Sequence, residues 1–400
     1  MGAAALPAMA GACGGDDDDT KSSGSGSSTS KNLKKVKLGF IALTDCASVV
    51  LAQELGFFEK RGLDVEVAKQ ESWPVTRDNL LSGEIDGAHC LFSMPFSVAT
   101  KVGGDGSRDL KIAMVLNNNG QAITLANAFK DAGYGDLDAA KKAIATAAKP
   151  HFAMTFPGGT HDTWLRYWLL ATGTKLDKVD IKPVPPPQMV TNMTGGNING
   201  YCVGEPWNAV AVANGIGFTH LATQDLWEHH PEKALVVGKK LSGDTGLLKE
   251  VVGGVLEASK WLDDADNRSE AADKLGVEKY VNAQPDAIRG RLTGTYDLGA
   301  DLGEQTFEGD QMQFFRDGAT NLPRRSYGYW FLAQYQRFGY LDAAPDYEGL
   351  VADLILSDLY ADAAKAEGVA VPDDDMKPFE VKLDGVTFDP AKPDEEAART

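Results

Sequence analysis

The segment TFPGGTHD, residues 155–162, has the residue types of an anion cradle. It joins a strand-like run, HFAMTF, to a helical run, WLRYWLLA, so its glycines fall where a strand turns into the first turn of a helix. Gly158 and Gly159 would let a ligand approach the backbone, and a helix amino terminus directs unpaired N–H groups and partial positive charge outward. His161 falls beside those donors. The same residues also suit a plain helix start, capped by Thr160 or Asp162 with His161 at the surface, and the segment alone leaves both readings open. It lacks the Lys-Ser/Thr of a P-loop and the G-x-G-x-x-G of a dinucleotide site, so a small oxyanion fits better than a nucleotide.

Three further side chains, at expected strand or loop ends, carry chemistry that an oxyanion uses. Trp73, after the strand-like LDVEVAKQ, offers an indole N–H. Gln121, after Asn117-Asn118-Asn119-Gly120, offers an amide, and Lys233, in His230-Pro231-Glu232-Lys233, offers a full positive charge. Taken singly, each has a plainer reading as core aromatic, loop amide or surface lysine. Catalytic patterns are missing: there is no G-x-S-x-G, no H-E-x-x-H and no lone cysteine set beside a credible base. His229 and His230 are adjacent, a poor spacing for a metal pair, and Cys90 and Cys202 read as small buried hydrophobes. No catalytic residue, metal or cofactor is expected, and the chain is not read as an enzyme.

The elements that would hold these side chains alternate from residue 34 onward. KKVKLGFI reads as a strand, 47–60 as one helix ending near Gly62, LDVEVAKQ as a strand, RDNLLSG as a helical turn and EIDGAHCLFSMP as a strand. This order argues for largely parallel sheets with covering helices. The unit G-x-I-[DN]-G occurs at 83–87 and again at 196–200, each time followed by an apolar strand running to a proline. That repetition suggests two α/β lobes of similar topology with a ligand cleft between them. The expected bounds are 34–126 plus 231–360 for lobe one and 127–230 for lobe two. The helix-rich stretch after 230 is expected to pack back on lobe one, and 361–400 is read as an acidic, solvated extension.

Charge narrows the partners. With 39 basic and 57 acidic residues in 400, the net charge of −18 provides no cationic footprint for nucleic acid. No window approaches the roughly 20 apolar residues that span a bilayer. Residues 1–33 divide into a small-residue leader, MGAAALPAMAGAC, and a Gly/Ser/Asp tract of tether composition. The leader is similar to the end of a bacterial lipoprotein signal, with Cys13 as the lipidated residue, although it carries no basic start.

Longer motifs connect these features. GFIALTDCASVVLAQELGFFEKRGLDVEV, SWPVTRDNLLSGEIDGAHCL, FPGGTHDTWLRYWLLATG, GYCVGEPWNAVAVANGIGFTH, TQDLWEHHPEKAL and DGVTFDP resemble the nitrate-binding periplasmic lipoproteins of ABC importers and their bicarbonate-binding relatives. The resemblance implies a type II solute-binding fold, two α/β lobes closing about a hinge. Carried across motif by motif, it implies anion contacts from Trp73 of S-W-x-x-T-R-D-N, Gln121 after N-G, His161 of P-G-G-x-H-D, Gly204 of V-G-E-P-W and Lys233 of H-P-E-K. A lysine near the last position resembles the nitrate branch, whereas the bicarbonate branch resembles a site with a carboxylate and calcium. The implied protein is a monomeric, extracytoplasmic component, lipid-anchored on the outer face of the membrane. It would deliver nitrate or nitrite to permease and ATPase subunits. A bicarbonate-binding component and a cytoplasmic nitrate sensor of the same fold are the alternatives.

Overall fold

The computed structural model describes residues 33–399. Ten strands form two five-stranded sheets: β1 (Lys34–Phe40), β2 (Leu63–Lys69), β3 (Gly87–Leu91), β4 (Lys111–Asn118), β5 (Gln121–Ala126), β6 (His151–Met154), β7 (Asp180–Pro183), β8 (Gly200–Gly204), β9 (Gly217–Ala222) and β10 (Pro231–Val237). Their orders are β2-β1-β3-β10-β4 and β7-β6-β8-β5-β9. The second repeats the first, with three parallel strands followed by an antiparallel fourth. Gly87 opens β3 and Gly200 opens β8, so the repeated G-x-I-[DN]-G units hold the same third place in each sheet. A Cβ on Gly200 would lie 2.7 Å from Leu125 Cδ2 and 2.9 Å from Thr124 O, which explains a glycine there. Burial follows position. β3 and β8 are buried throughout, whereas edge strand β2 turns Leu63 and Val65 inward and Asp64 and Glu66 outward, a charged edge that discourages further pairing.

The chain crosses between the sheets twice. β5, expected to close lobe one at residue 126, pairs instead with β8 and β9 in the second sheet. The first crossing therefore lies at Asn119 and Gly120, whose φ angles of 62° and 91° turn β4 directly into β5. Apolar patterning could not place it, because both strands are almost wholly buried and read as one run. The return crossing spans residues 222–231. His230 O accepts from Asn118 Nδ2 at 3.1 Å and from Asn119 N at 3.3 Å, tying the two crossings together.

Three helical expectations change. The run 47–60 is two helices, Ala47–Glu54 and Phe57–Lys60, broken at Gly56 where φ is 73°. The helices after β10 do not stay on lobe one. Helix Thr245–Asp263 does pack there, but Arg291 of helix Pro285–Thr293 reaches Glu205 of the second lobe at 3.3 Å. Helix Arg325–Arg337 touches both lobes, with Phe331 5.8 Å from Phe92 and Trp330 5.5 Å from Trp164 between ring centroids. The carboxyl-terminal segment is not a solvated extension either. Its hairpin, Phe379–Val381 with Val386–Phe388, stacks Phe379 on Trp227 at 4.3 Å and buries Val381 and Phe388. Asp374 and Asp375 pair with Arg324 and Arg325, so part of the acidity that suggested a solvated tail is a set of ion pairs.

Candidate functional site

All five predicted contact residues converge between the lobes, on a group of fully buried polar side chains. Its centre is Lys233, whose Nζ lies 2.8 Å from Asp45 Oδ2, 2.8 Å from Glu232 Oε1 and 3.4 Å from His161 Nε2. Neighbouring strand residues ordinarily point to opposite faces, yet Glu232 and Lys233 meet at their side-chain ends. The cause is a register break: Pro231 pairs with Asn118, Lys233 with Asn117 and Ala234 with Val115, so β10 is bulged against β4 at this point.

Lobe two contributes His161, Gln121 and Gly204. His161 sits in the first turn of helix Thr160–Ala171, wholly buried, with Nδ1 2.6 Å from Thr155 Oγ1 and Nε2 3.3 Å from Glu232 Oε1. The surface reading of this histidine is thereby excluded. Thr160 Oγ1 donates to Glu232 Oε1 at 2.5 Å, and Trp164 Nε1, one turn further along, donates to Glu232 Oε2 at 2.8 Å. The glycines of TFPGGTHD act differently from the expectation. A Cβ on Gly158 would lie 2.8 Å from Ser97 Oγ and one on Gly159 2.7 Å from Leu91 Cδ1, so their smallness lets this loop close onto lobe one. Ser93 and Ser97 complete that contact by donating to Gly158 O and Pro157 O. Gln121 Nε2 donates to Asp45 Oδ2 at 3.0 Å. Gly204 faces it across the β5–β8 ladder; a Cβ there would stand 3.0 Å from Gln121 Oε1 and 3.1 Å from Leu43 Cδ2.

Lobe one contributes Lys233 and Trp73. Ser72 Oγ accepts from Val75 N, starting helix Trp73–Ser82 and setting Trp73 at its first residue. The Trp73 ring lies 5.8 Å from the His89 ring and 5.9 Å from Lys233 Nζ. Its Nε1 and Gln121 Oε1 are both buried without a hydrogen-bond partner. An unpaired buried donor is costly unless something else binds it.

Charge states follow from these neighbours. Burial alone would lower the Lys233 ammonium, but Asp45 and Glu232 together raise it above its ordinary value of 10.5. Burial opposes ionisation of the two carboxyls as well. Lys233 and the donors around Asp45 nevertheless hold it below its ordinary range, and Lys233 and His161 hold Glu232 far below. His89 and His161 are pushed down, His89 by burial and His161 by burial and the Lys233 charge, and burial takes His230 to about 4. At neutral pH the group holds one cation, two carboxylates and neutral imidazoles.

Residues 29–276 match the NMT1-like family. The chain belongs to that family. It is 42% identical over 378 residues to the nitrate/nitrite binding protein NrtA of Nostoc sp., an alignment covering 90% of this chain and 84% of the relative. A crystal structure of the periplasmic nitrate-binding protein NrtA from Synechocystis superposes with a TM-score of 0.87 at 37% identity, covering 91% of this chain and 98% of that one. The bicarbonate-binding protein CmpA of Synechococcus elongatus is 29% identical over 388 residues, covering 90% and 85%. The two-lobe α/β architecture is thus a periplasmic-binding-protein fold. All five predicted contact residues fall within the NMT1-like match, while the helices and hairpin strapping the two lobes lie beyond it.

Sequence reasoning missed Asp45, His89, Glu232, Thr160 and Trp164. His89 carried a visible signal, a lone imidazole in the otherwise apolar GAHCL strand, and Asp45 stands just past the carboxyl end of β1. Glu232 carried none, since strand alternation sends it away from Lys233 until the bulge is known. His229 and His230 separate: His230 Nε2 is 2.8 Å from Thr223 Oγ1 in the core, whereas His229 Nδ1 lies 3.2 Å from Asp310 near the surface. Cys90 and Cys202 occupy matching strands and are buried, their thiols pushed up by burial. Cys13 lies outside the described residues.

Proposed function

We infer that this protein captures nitrate, and nitrite by the same chemistry, between its lobes and delivers it to the permease and ATPase of an ABC importer. The observation that carries the reading is Lys233, a buried ammonium facing the His161 imidazole, with the partnerless Trp73 indole and the Gln121 amide around the same point. A planar monoanion needs in-plane N–H donors and one cation to replace its hydration. One ammonium–anion pair about 4 Å apart contributes roughly 4 kcal/mol at an effective dielectric of 20. Micromolar affinity requires about 8 kcal/mol, so the neutral donors and lobe closure must provide the remainder.

Lys233 also favours nitrate over bicarbonate. Its ammonium sits between the Asp45 and Glu232 carboxylates and offsets one of their two charges in the place a divalent ion would take. Isothermal titration of the full chain with nitrate, nitrite and bicarbonate, each with and without calcium, tests the reading. Nitrate heat independent of calcium is expected, and bicarbonate heat that appears only with calcium, without nitrate heat, would overturn it.

The protein acts by binding rather than by catalysis, outside the cytoplasm, as a monomer held to the membrane through lipid at Cys13. Replacing Cys13 by Ala should move the protein from the membrane fraction to the soluble extracytoplasmic fraction.

A further inference from the structure

We propose that anion capture at this site takes up one proton, held on His161, so that affinity falls as pH rises. The inference rests on the oxyanion reading above and starts from a charge count. Asp45 and Glu232 outweigh Lys233, leaving a formal −1 in a group with no solvent exposure. Adding a monovalent anion would make it −2 in a closed, weakly polarisable volume, where like charges at contact repel strongly. One proton restores the charge that the group has before the ligand arrives.

Hydrogen-bond geometry decides where that proton can reside. Asp45 is occupied: Oδ2 accepts from Lys233 and Gln121, and Oδ1 is 2.7 Å from His89 Nε2. Glu232 is occupied as well, by Lys233 and Thr160 on Oε1 and by Trp164 on Oε2. His89 is blocked at its other nitrogen, because Nδ1 faces the Ile41 N–H at 3.5 Å and a proton there would oppose a donor to a donor. His230 faces Glu232 from the far oxygen, Oε2, at 3.8 Å, behind the carboxylate.

His161 has a partner for a proton on each nitrogen and, unlike His230 with its Pro231 O and Thr223 Oγ1, stands beside Lys233 Nζ. Nδ1 faces the Thr155 hydroxyl at 2.6 Å, and a hydroxyl can turn from donor to acceptor. Nε2 lies 3.4 Å from the Lys233 ammonium but also 3.3 Å from Glu232 Oε1, an acceptor that His89 Nδ1 lacks, at the place where the ligand donors meet. Its chain neighbour Asp162 is taken up by Gly158 N, Arg166 and Tyr340 and does not compete for it. Without ligand, burial and the Lys233 charge keep His161 neutral above the ordinary imidazole value of 6.5. An anion against Nε2 supplies the opposite charge, and by linkage the imidazolium and the anion stabilise one another equally. The imidazolium then gives Nδ1–H to Thr155 and Nε2–H to the ligand.

The experiment is titration calorimetry of the full chain with nitrate in several buffers of different ionisation enthalpy, repeated at rising pH above 6.5. Close to one proton taken up per nitrate is expected, with Kd rising up to about tenfold per pH unit. Nitrate binding with zero proton uptake and a flat Kd would overturn the proposal while leaving the nitrate reading intact. Absence of nitrate heat at every pH would remove that reading and this proposal together. His161→Asn should bind more weakly with no pH slope, and a retained slope would overturn the assignment to His161. In the unaltered protein, nitrogen NMR of the imidazole should show both nitrogens protonated with nitrate present, and a neutral ring in the complex would contradict the proposal.

Discussion

The two sheets share strand order and repeat the same glycine-led third strand, yet they equip the cleft differently. Lobe one holds the full charges: Asp45 past β1, Glu232 and Lys233 on β10, with His89 bonded to Asp45. Lobe two brings neutral donors and one titratable ring, namely Gln121, Thr160, Trp164 and His161. Equivalent backbones therefore set the geometry, while the electrostatics belong to one half. The lobes interlock where Thr44 N donates to Glu205 O at 2.7 Å and Trp207 Nε1 to Ala42 O at 3.0 Å. These contacts bring the neutral donors of the second lobe over the charged floor of the first.

The sharpest way to break the asymmetry is to remove its one cation. Lys233→Gln should lower nitrate affinity by about a thousandfold, the equivalent of roughly 4 kcal/mol. It also leaves Asp45 and Glu232 buried without a counter-charge, so stability should drop by about 3–5 kcal/mol in denaturant titration. An unchanged unfolding midpoint would mean that the carboxylates do not depend on Lys233.

Acid should weaken the buried polar group next. The unfolded chain takes up protons at His89 and His230 that the fold refuses, so stability should decline as pH falls from 6.5 toward about 4. Asp45 and Glu232, held below their ordinary values of 3.8 and 4.5, add a further loss below those values. Thermal melting across pH 7 to 4 reads the first part directly; a flat profile would contradict it.

Two tryptophans then separate binding from stability. Trp164 is bonded to Glu232, and Trp164→Phe should cost about 1–3 kcal/mol of stability by leaving a carboxylate oxygen unpaired. Trp73 Nε1 has no partner, so Trp73→Phe should leave the melting temperature nearly unchanged and weaken nitrate about tenfold, one hydrogen bond to a charged acceptor. Equal effects on melting would dissolve the distinction. The smallest effect belongs to Gly204→Ala, whose Cβ meets Gln121 Oε1 at 3.0 Å and Leu43 Cδ2 at 3.1 Å. A several-fold loss of affinity is expected, on the order of 1 kcal/mol, from a shifted Gln121.

Much of this arrangement is legible in the sequence. Strand–helix alternation and the repeated glycine unit point to two lobes, while residue type at strand ends only flags Trp73, Gln121, His161 and Lys233, and the longer family motifs single them out. What escaped was non-local. Membership of β5 in the second sheet depends on a left-handed Asn119-Gly120 turn inside an unbroken apolar run. The role of Glu232 depends on a bulge created by β4 pairing. The tail reads as solvated because its charges are visible, while the Trp227, Arg324 and Arg325 partners that bury or pair it lie 50 or more residues earlier. Periodicity reports which face of an element is apolar, and it does not report what that face meets.

Diffraction from crystals of the full chain grown with nitrate tests the central claim most directly. The account predicts planar three-lobed density within hydrogen-bond distance of Lys233 Nζ, Trp73 Nε1 and His161 Nε2, with Gly204 beside it. Nitrate density elsewhere, with the Trp73 indole still without a partner, would contradict it.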